Sequence, residues 1–581
     1  MIIRNHSLLL KTFGLVTFLF LLQVQPGWSA SKSRSQDAVR LSHEKLDKRC
    51  DELSMSAVGC HPNHKGETEG KGTSDYGNAV SNLRGEILKK EPNAPIKALA
   101  LYTTPAPQVY TAAMDFIQKV EGCNQNVEYL ERAPDVEKDP KKMQLSKLLA
   151  AVEALSSTQE ALKDSMGTKS VKNGTKESLE LQDTNLIGNL MHPKFQIKKA
   201  DDSSLTVLRM GSQTIDIPKE KNENQRGAQV APEFKTFIDG LPQGMQHVYV
   251  NLQMSVERGG IFGVFGSGFG DYEEERPRSE ALHRFASDKE KLVMISLDKN
   301  SHFYQYFSPK GSVDEVVNTL ADRFFPVHGD EDSNWSRTGI NLTDLWRKDT
   351  GHCEARNGFV NNPDGCRALL KGMFIQNLKA IAGDIFKPGV SLDRDQSKAL
   401  VDLAYQYVID LASKKASSMN MSCKSGVDRA GGVNANVYLM SLLKDICSGT
   451  SSDKIHQNIM NLRHVFFSDA VLYNGRPVND DRLGRFQDSA RVIIEGVLSK
   501  VNDSQACLGS KDLLFSGKSL EPAFDPQRAA ARKCLAKAAA GSCEEGAADL
   551  NVVPQFQGLG GDLKRIRAFG IPERKGSECR H

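Results

Sequence analysis

A cysteine and an arginine, separated by five residues, stand in the run Cys423-Lys424-Ser425-Gly426-Val427-Asp428-Arg429-Ala430-Gly431. A thiolate that attacks phosphorus needs an anion site around it. A guanidinium reaching two oxygens of the same phosphoryl group completes that site with parallel hydrogen bonds. The five intervening residues can wrap once around a tetrahedral anion, their backbone N–H groups pointing inward. Cys423 is thus the candidate nucleophile and Arg429 the candidate phosphate clamp. Lys424, Ser425, Gly426 and Val427 are the residues that would meet the bound group. None of the other ten cysteines has an arginine six positions on.

A loop of this kind must be held by regular elements. Ser418-Met419-Asn420-Met421-Ser422 alternates in polarity and predicts a short strand leading into it. Val437, Met440, Leu443 and Ile446 recur at three and four, which predicts a helix over 433–446. The loop then sits at a helix N-terminus, where partial positive charge favours a phosphate dianion and a thiolate.

The rest of the chain suits a mixed α/β arrangement. Val248-Tyr249-Val250-Asn251-Leu252 and Leu292 to Leu297 read as strands, the second apolar enough to lie inside a sheet. Helices are expected at Val313 to Phe324, Cys366 to Phe386 and Asp393 to Lys415. Asp453 to Lys500 also reads as helical, interrupted around Tyr473 to Pro477. Upstream, 96–230 reads as a helical region plus a β-hairpin, with strands around Phe195 and Leu205 joined by Ala200-Asp201-Asp202-Ser203-Ser204. Pro218 to Pro232 is the candidate linker. The expected division is 1–29, 30–95, 96–230, 231–510 and 511–581: a signal peptide, a polar leader, this helical region, the domain bearing the loop, and a helical tail over Ala529 to Ala540.

The chain has 581 residues and a net charge of +3, with lysine and arginine spread throughout, so no nucleic-acid partner is expected. Arg4 and Lys11 precede an apolar run from Phe13 to Leu22, and Pro26 to Ala30 forms a cleavage-like region. The run is short for a membrane span, so a secretory signal is expected. An exported chain meets an oxidising compartment, and eleven cysteines leave one over if the rest pair. Cys423 is the residue expected to stay free. Cys50 with Cys60, Cys353 with Cys366 and Cys534 with Cys543 are close enough in sequence for local bridges. No zinc spacing occurs, so no metal or other cofactor is expected, and His61, His64 and His352 are read as surface or turn residues.

Two other stretches invite chemistry. Gly259 to Gly270 carries glycine spacings found in nucleotide loops but shows no following helix with a suitable lysine. It reads as a flexible hairpin or aromatic-tipped loop. Its phenylalanines are expected in the core, a peripheral membrane contact being the alternative. Pro363-Asp364-Gly365 has the composition of a mobile loop that supplies a general acid in tyrosine phosphatases, and it is also a common turn; a turn is expected.

The run from Cys423 to Gly431 resembles the signature Cys-Lys-Ser-Gly-Lys-Asp-Arg-Thr-Gly of the SopB-like bacterial effector inositol-phosphate and phosphoinositide phosphatases. A related signature occurs in animal inositol polyphosphate 4-phosphatases. Seven of nine positions match, and the resemblance covers only these residues and their flanking strand and helix. Together with the helical N-terminal region and the extra small β element read above, it implies an α/β fold with a cysteine-phosphatase-like mixed sheet flanked by many helices. It also implies hydrolysis of phosphate from inositol rings through a cysteinyl-phosphate intermediate, without a metal. On that resemblance Cys423 is the nucleophile and Arg429 the clamp. Lys424 adds charge for a substrate bearing several phosphates, and Ser425 and Gly426 present backbone amides. Asp428 stands where related lipid phosphatases have a carboxylate proposed as general acid; a loop-bracing role that orients Arg429 is the alternative.

Two positions depart from the signature. Val427 replaces a lysine and resembles the apolar residue of tyrosine phosphatases, which leaves a secreted protein-tyrosine phosphatase as a second expectation. Ala430 replaces a hydroxyl residue that helps expel the thiolate, so slower turnover follows. Ser422 stands where many such enzymes carry histidine. Asn420-Met421-Ser422 is also a glycosylation sequon, and a glycan there would obstruct the loop, which favours secreted or periplasmic export from a bacterium. A non-catalytic binding protein, with Cys423 locked in a disulfide, is the remaining expectation. Thiol titration of the folded, oxidised chain separates these: one reactive thiol is expected, lost in Cys423→Ser, whereas no free thiol would exclude catalysis by Cys423.

Overall fold

The structure, a computed structural model, describes residue 117 and residues 139–166, 192–199, 203–217, 227–253, 269–299, 310–327, 338–348, 350–353, 362–424, 426–470, 477–501 and 519–521. In chain order the elements are helix α1 (Pro140–Met166), strands β1 (His192–Lys198), β2 (Ser204–Arg209), β3 (Thr214–Ile217) and β4 (Gly227–Val230), helix α2 (Pro232–Asp239) and strand β5 (Gln246–Asn251). Helix α3 (Phe269–Ser287), strand β6 (Leu292–Leu297), helix α4 (Val313–Phe324), strand β7 (Ile340–Asn341) and helices α5 (Thr343–Arg347), α6 (Pro363–Ile385) and α7 (Arg394–Ser413) follow. Strand β8 (Ala416–Ser422) then leads into α8 (Asp428–Ser448), α9 (Ser452–Asp469), α10 (Asp480–Lys500) and strand β9 (Ser519–Glu521).

Among the described residues the main sheet has the order β7-β6-β5-β8-β2-β1-β9, which puts β8 at its centre. β8 runs parallel to β5 on one side and β2 on the other, and β6 is parallel to β5. β1, β7 and β9 are antiparallel to their neighbours, so the sheet is mixed. β6 is buried at every position, as its unbroken apolar run requires. The helices that cover the sheet carry clear end signals: Ser312 with Glu315 and Asp393 with Gln396 form capping boxes at α4 and α7.

Alternation gives β5 and β8 two unlike faces. Val248, Val250, Met419 and Met421 join the apolar core shared with the helices. The opposite face is polar and buried. His247 bonds Ser418 Oγ at 2.9 Å and Asn420 Oδ1 at 2.8 Å, and Asn251 donates to Ser279 Oγ of α3 at 2.9 Å and Ser296 Oγ at 3.0 Å. Both His247 ring nitrogens and the Asn251 amide thereby gain partners, while Asn420 Nδ2 has none among the described residues. Asn420 lies inside the sheet, so a glycan there is incompatible with this fold. A second buried polar contact holds the other end of the sheet: Lys194 Nζ meets Asp469 Oδ2 at 2.5 Å, both side chains fully buried, tying β1 to α9.

Several expectations change. The hairpin at 195–208 is part of the main sheet through β2 and β8, so the boundary expected near 230 runs through one sheet. The candidate linker contains β4, which pairs with β3 as a separate two-stranded sheet. Pro363-Asp364-Gly365 is the first turn of α6, where Asn362 Oδ1 accepts Gly365 N–H at 3.0 Å; proline suits that first position because its missing donor would be unpaired there. The tail segment contributes strand β9 to the sheet edge. His352 is half-buried rather than exposed, with Nε2 at 2.9 Å from Leu411 O. The signal region, the polar leader, the tail helix and the pairs Cys50–Cys60 and Cys534–Cys543 lie outside the described residues. Among the described residues no helix is long and apolar enough to cross a membrane.

Burial lowers the pKa of His247 from 6.5 to about 4, against the raising effect of its bond to Asn420. Between those values the unfolded chain binds a proton that the folded ring excludes. The contribution of this ring to stability is therefore full above about pH 6.5. It falls by on the order of 3 kcal/mol as pH drops to about 4. Urea unfolding at pH 7 and at pH 5 should show about 2 kcal/mol of that loss, and His247→Gln should flatten this part of the pH dependence.

Candidate functional site

The run from Cys423 to Arg429 joins the central strand to the N-terminus of α8, at the carboxyl end of β8. Ligand sites of open α/β sheets form in this position. α8 starts at Asp428, earlier than its apolar period suggested, so Asp428 and Arg429 occupy its first turn. The reason is compositional: Gly431 and Gly432 interrupt the apolar stripe without interrupting the helix. Gly431 also lets α9 approach, since a Cβ there would stand 3.3 Å from Phe466 O.

The loop rests on the exit of β2. Gly426 has φ +69°, a conformation that favours glycine, and a Cβ at that position would lie 2.6 Å from Met210 O. Ser212 N–H donates to Lys424 O at 3.3 Å, which fastens the same two segments. Beneath the cysteine, the Tyr249 hydroxyl donates to Ser422 Oγ at 2.7 Å and accepts from Gln213 N–H at 3.2 Å. Burial, opposed by these two bonds and helped by the charge at Cys423, pushes the Tyr249 pKa up, so its proton stays on. Ser422, where histidine was the alternative, is therefore one link in the sheet's buried polar face.

Cys423 is buried and is the free thiol among the described cysteines. Cys353 and Cys366 form the expected bridge, and Cys447 is disulfide-bonded as well. Arg429 reaches back over the loop. Its Nη1 donates to Leu252 O at 3.1 Å and to Glu275 Oε2 at 2.9 Å, and its Nη2 pairs with Glu275 Oε1. This bidentate fork fixes the guanidinium plane. Burial opposes the charge, but Glu275 outweighs it, with smaller help from Cys423 and Asp298, and the Arg429 pKa is raised. The thiol and the guanidinium thus share one electrostatic field at a helix N-terminus, an arrangement that can hold a tetrahedral oxyanion for attack by sulfur.

Asp428 does not stand alone. Its Oδ1 accepts Asn479 N–H, the N-cap of α10, at 2.9 Å. It also lines a pocket together with Arg429, Gly432, Lys299, Arg482 and Arg485. Val427 is fully buried, so its side chain packs in the core and leaves only its backbone to meet a ligand. Lys424 is partly buried; Ser425 lies outside the described residues. Among the described residues no group of three or more His, Cys, Asp and Glu side chains is placed to hold a metal ion.

Glu275 was not foreseen. It belongs to α3, which starts at Phe269 inside the glycine-rich stretch read as a hairpin or loop. That helix buries Glu275, Arg278 and Ser279 and carries Pro277 within it, so neither apolar period nor composition marks it. The acidic run Glu273-Glu274-Glu275 after the glycines was the available signal. Compared with family models, with curated proteins and with solved structures, the chain has no significant match to any of them.

The close approach at Gly426 sets a sharp expectation. Gly426→Ala meets both a strained φ and a backbone carbonyl that cannot move aside. It should lose about 1–3 kcal/mol or more in urea unfolding, while Gly449→Ala, with a similar φ but open space around it, should lose less.

Proposed function

We propose that the chain is a cysteine-dependent phosphatase that hydrolyses phosphate monoesters of inositol phosphates or phosphoinositides. One observation carries this reading: a free thiol at the carboxyl end of the central strand lies within electrostatic reach of an arginine in the first turn of the following helix, and a buried carboxylate orients that arginine. The Cys423 Sγ electron pair forms the S–P bond as the P–O bond to the inositol breaks. Arg429 and the loop amides hold the remaining phosphoryl oxygens. Asp428, on the wall of the same pocket as Arg429, gives its proton to the leaving oxygen and then takes one from the water that cleaves the S–P bond. Its bond from Asn479 holds that carboxylate at the edge of the loop.

The inositol assignment draws on the resemblance of Cys423 to Gly431 to the SopB-like signature. Burial of Val427 bears on the tyrosine-phosphatase alternative, because an apolar side chain spent in the core says little about the substrate. The bonded Cys353, Cys366 and Cys447 support a secreted or periplasmic setting, since such bridges persist in oxidising compartments. The free state of Cys423 weighs against the disulfide-locked binding protein.

Phosphate release should be measured on inositol phosphates, phosphoinositides and phosphotyrosine peptides. Activity is expected on the first two, falling at least about 1,000-fold in Cys423→Ser; equal activity in that variant would sink the mechanism. Arg429→Lys should lose most of it as well, because an ammonium cannot make the fork. Asp428→Asn should lose about 100-fold or more on an inositol phosphate. Its loss on p-nitrophenyl phosphate should be much smaller, as that leaving group needs no proton. Equal losses on both would remove Asp428 from the acid role.

A further inference from the structure

We infer that the pocket between α8, α10 and the end of β6 is a second anion subsite, which takes a further phosphate of a polyphosphorylated inositol whose scissile phosphate lies at Cys423. This rests on the phosphatase reading and names its substrate class.

The pocket is positive. Lys299, Arg429, Arg482 and Arg485 line it against the carboxylates of Asp402 and Asp428, with the ring of Phe486 beside them. Its enclosed part is only about the size of one ordered water and the rest opens to solvent, with Gly432 on its wall. A Cβ at Gly432 would meet nothing within 4 Å.

The cations are held in place rather than splayed into solvent. Lys299 Nζ stands 3.0 Å from Asp402 Oδ1, and Arg482 Nη1 donates to Lys299 O at 2.9 Å. Prior fixing of such long side chains lowers the entropic cost of binding.

The helix ends add to the field. α8 and α10 are each 21 residues long, and both begin at this pocket with their positive ends. Arginine in a first or second turn opposes the helix dipole unless an anion joins it, and here Arg429, Arg482 and Arg485 all stand in such positions. Of the acidic residues that open α10, Asp480 is directed to α1, where Lys163 and Gln159 engage it at 2.8 Å. A phosphate in the pocket would meet arginine and lysine charge and two helix N-termini together.

The pocket also adjoins the chemistry. Arg429 is at once a wall of it and the guanidinium whose charge is felt at Cys423, and Asp428 of the same loop lines it too. Val427 is buried in the core, so beside Lys424 the further charge for additional phosphates comes from Lys299, which follows β6, and from Arg482 and Arg485 of α10.

Binding and turnover test this separately. In the Cys423→Ser chain, calorimetry with myo-inositol hexakisphosphate and with inorganic phosphate should give a preference for the former. That preference should fall at least tenfold in Arg482→Gln/Arg485→Gln and, if that variant fails to fold, in Gly432→Leu, which fills the space without removing charge. In the chain with Cys423 intact, the ratio of kcat/KM for a polyphosphorylated over a monophosphorylated inositol should fall by a similar factor. Unchanged preference and unchanged ratio would overturn the subsite while leaving the phosphatase reading in place. A preference that collapses on mutation in a chain that hydrolyses no phosphate ester would uphold the subsite as an anion site and remove the catalytic reading instead.

Discussion

The fork between Arg429 and Glu275 is the interaction on which the geometry of the site depends. A guanidinium taken largely out of water is costly unless a carboxylate and further acceptors surround it, and Glu275 and Leu252 O supply both. That requirement explains the odd character of α3. The helix must bury acidic and polar side chains toward the sheet, so it cannot have the apolar stripe of an ordinary surface helix. It also explains the sheet's polar face, where Asn251, Ser279 and Ser296 satisfy one another beside the buried ion pair.

A second constraint is steric. The loop after Cys423 passes so close to Met210 and Gly211 that only a glycine fits at 426, and Ser212 closes the contact from the other side. β2, which lies more than two hundred residues upstream in the chain, thus shapes the loop after Cys423 as directly as β8 does. The division into a helical region and a loop-bearing domain fails for this reason: the hairpin is half of the cradle.

Local signals made much of the fold legible. β6 and α4 follow from an uninterrupted apolar run and a capping box, and each begins and ends where those signals place it. Cys423 and Arg429 were legible as a pair because they stand six positions apart in one short run. Glu275 was not, since its pairing spans 154 residues and depends on the order of strands in the sheet. The pocket cations Lys299, Arg482 and Arg485 are hidden for the same reason: each is an ordinary surface-type residue until topology gathers them. Pro363 illustrates the remaining ambiguity, because proline, aspartate and glycine suit a turn and a helix start equally well.

The central place of β8 has a consequence for how the chain acquires its chemistry. Parallel neighbours must come from distant segments, and closing such long loops is slow. The loop after Cys423 has no support until β2, β5 and α3 are docked, and Arg482 and Arg485 join Lys299 and Arg429 only once α10 has been synthesised. In a nascent or unfolded chain Cys423 and Glu275, 148 residues apart in sequence, are therefore separated, and only the docking of β2, β5 and α3 brings the loop and the Arg429–Glu275 fork together.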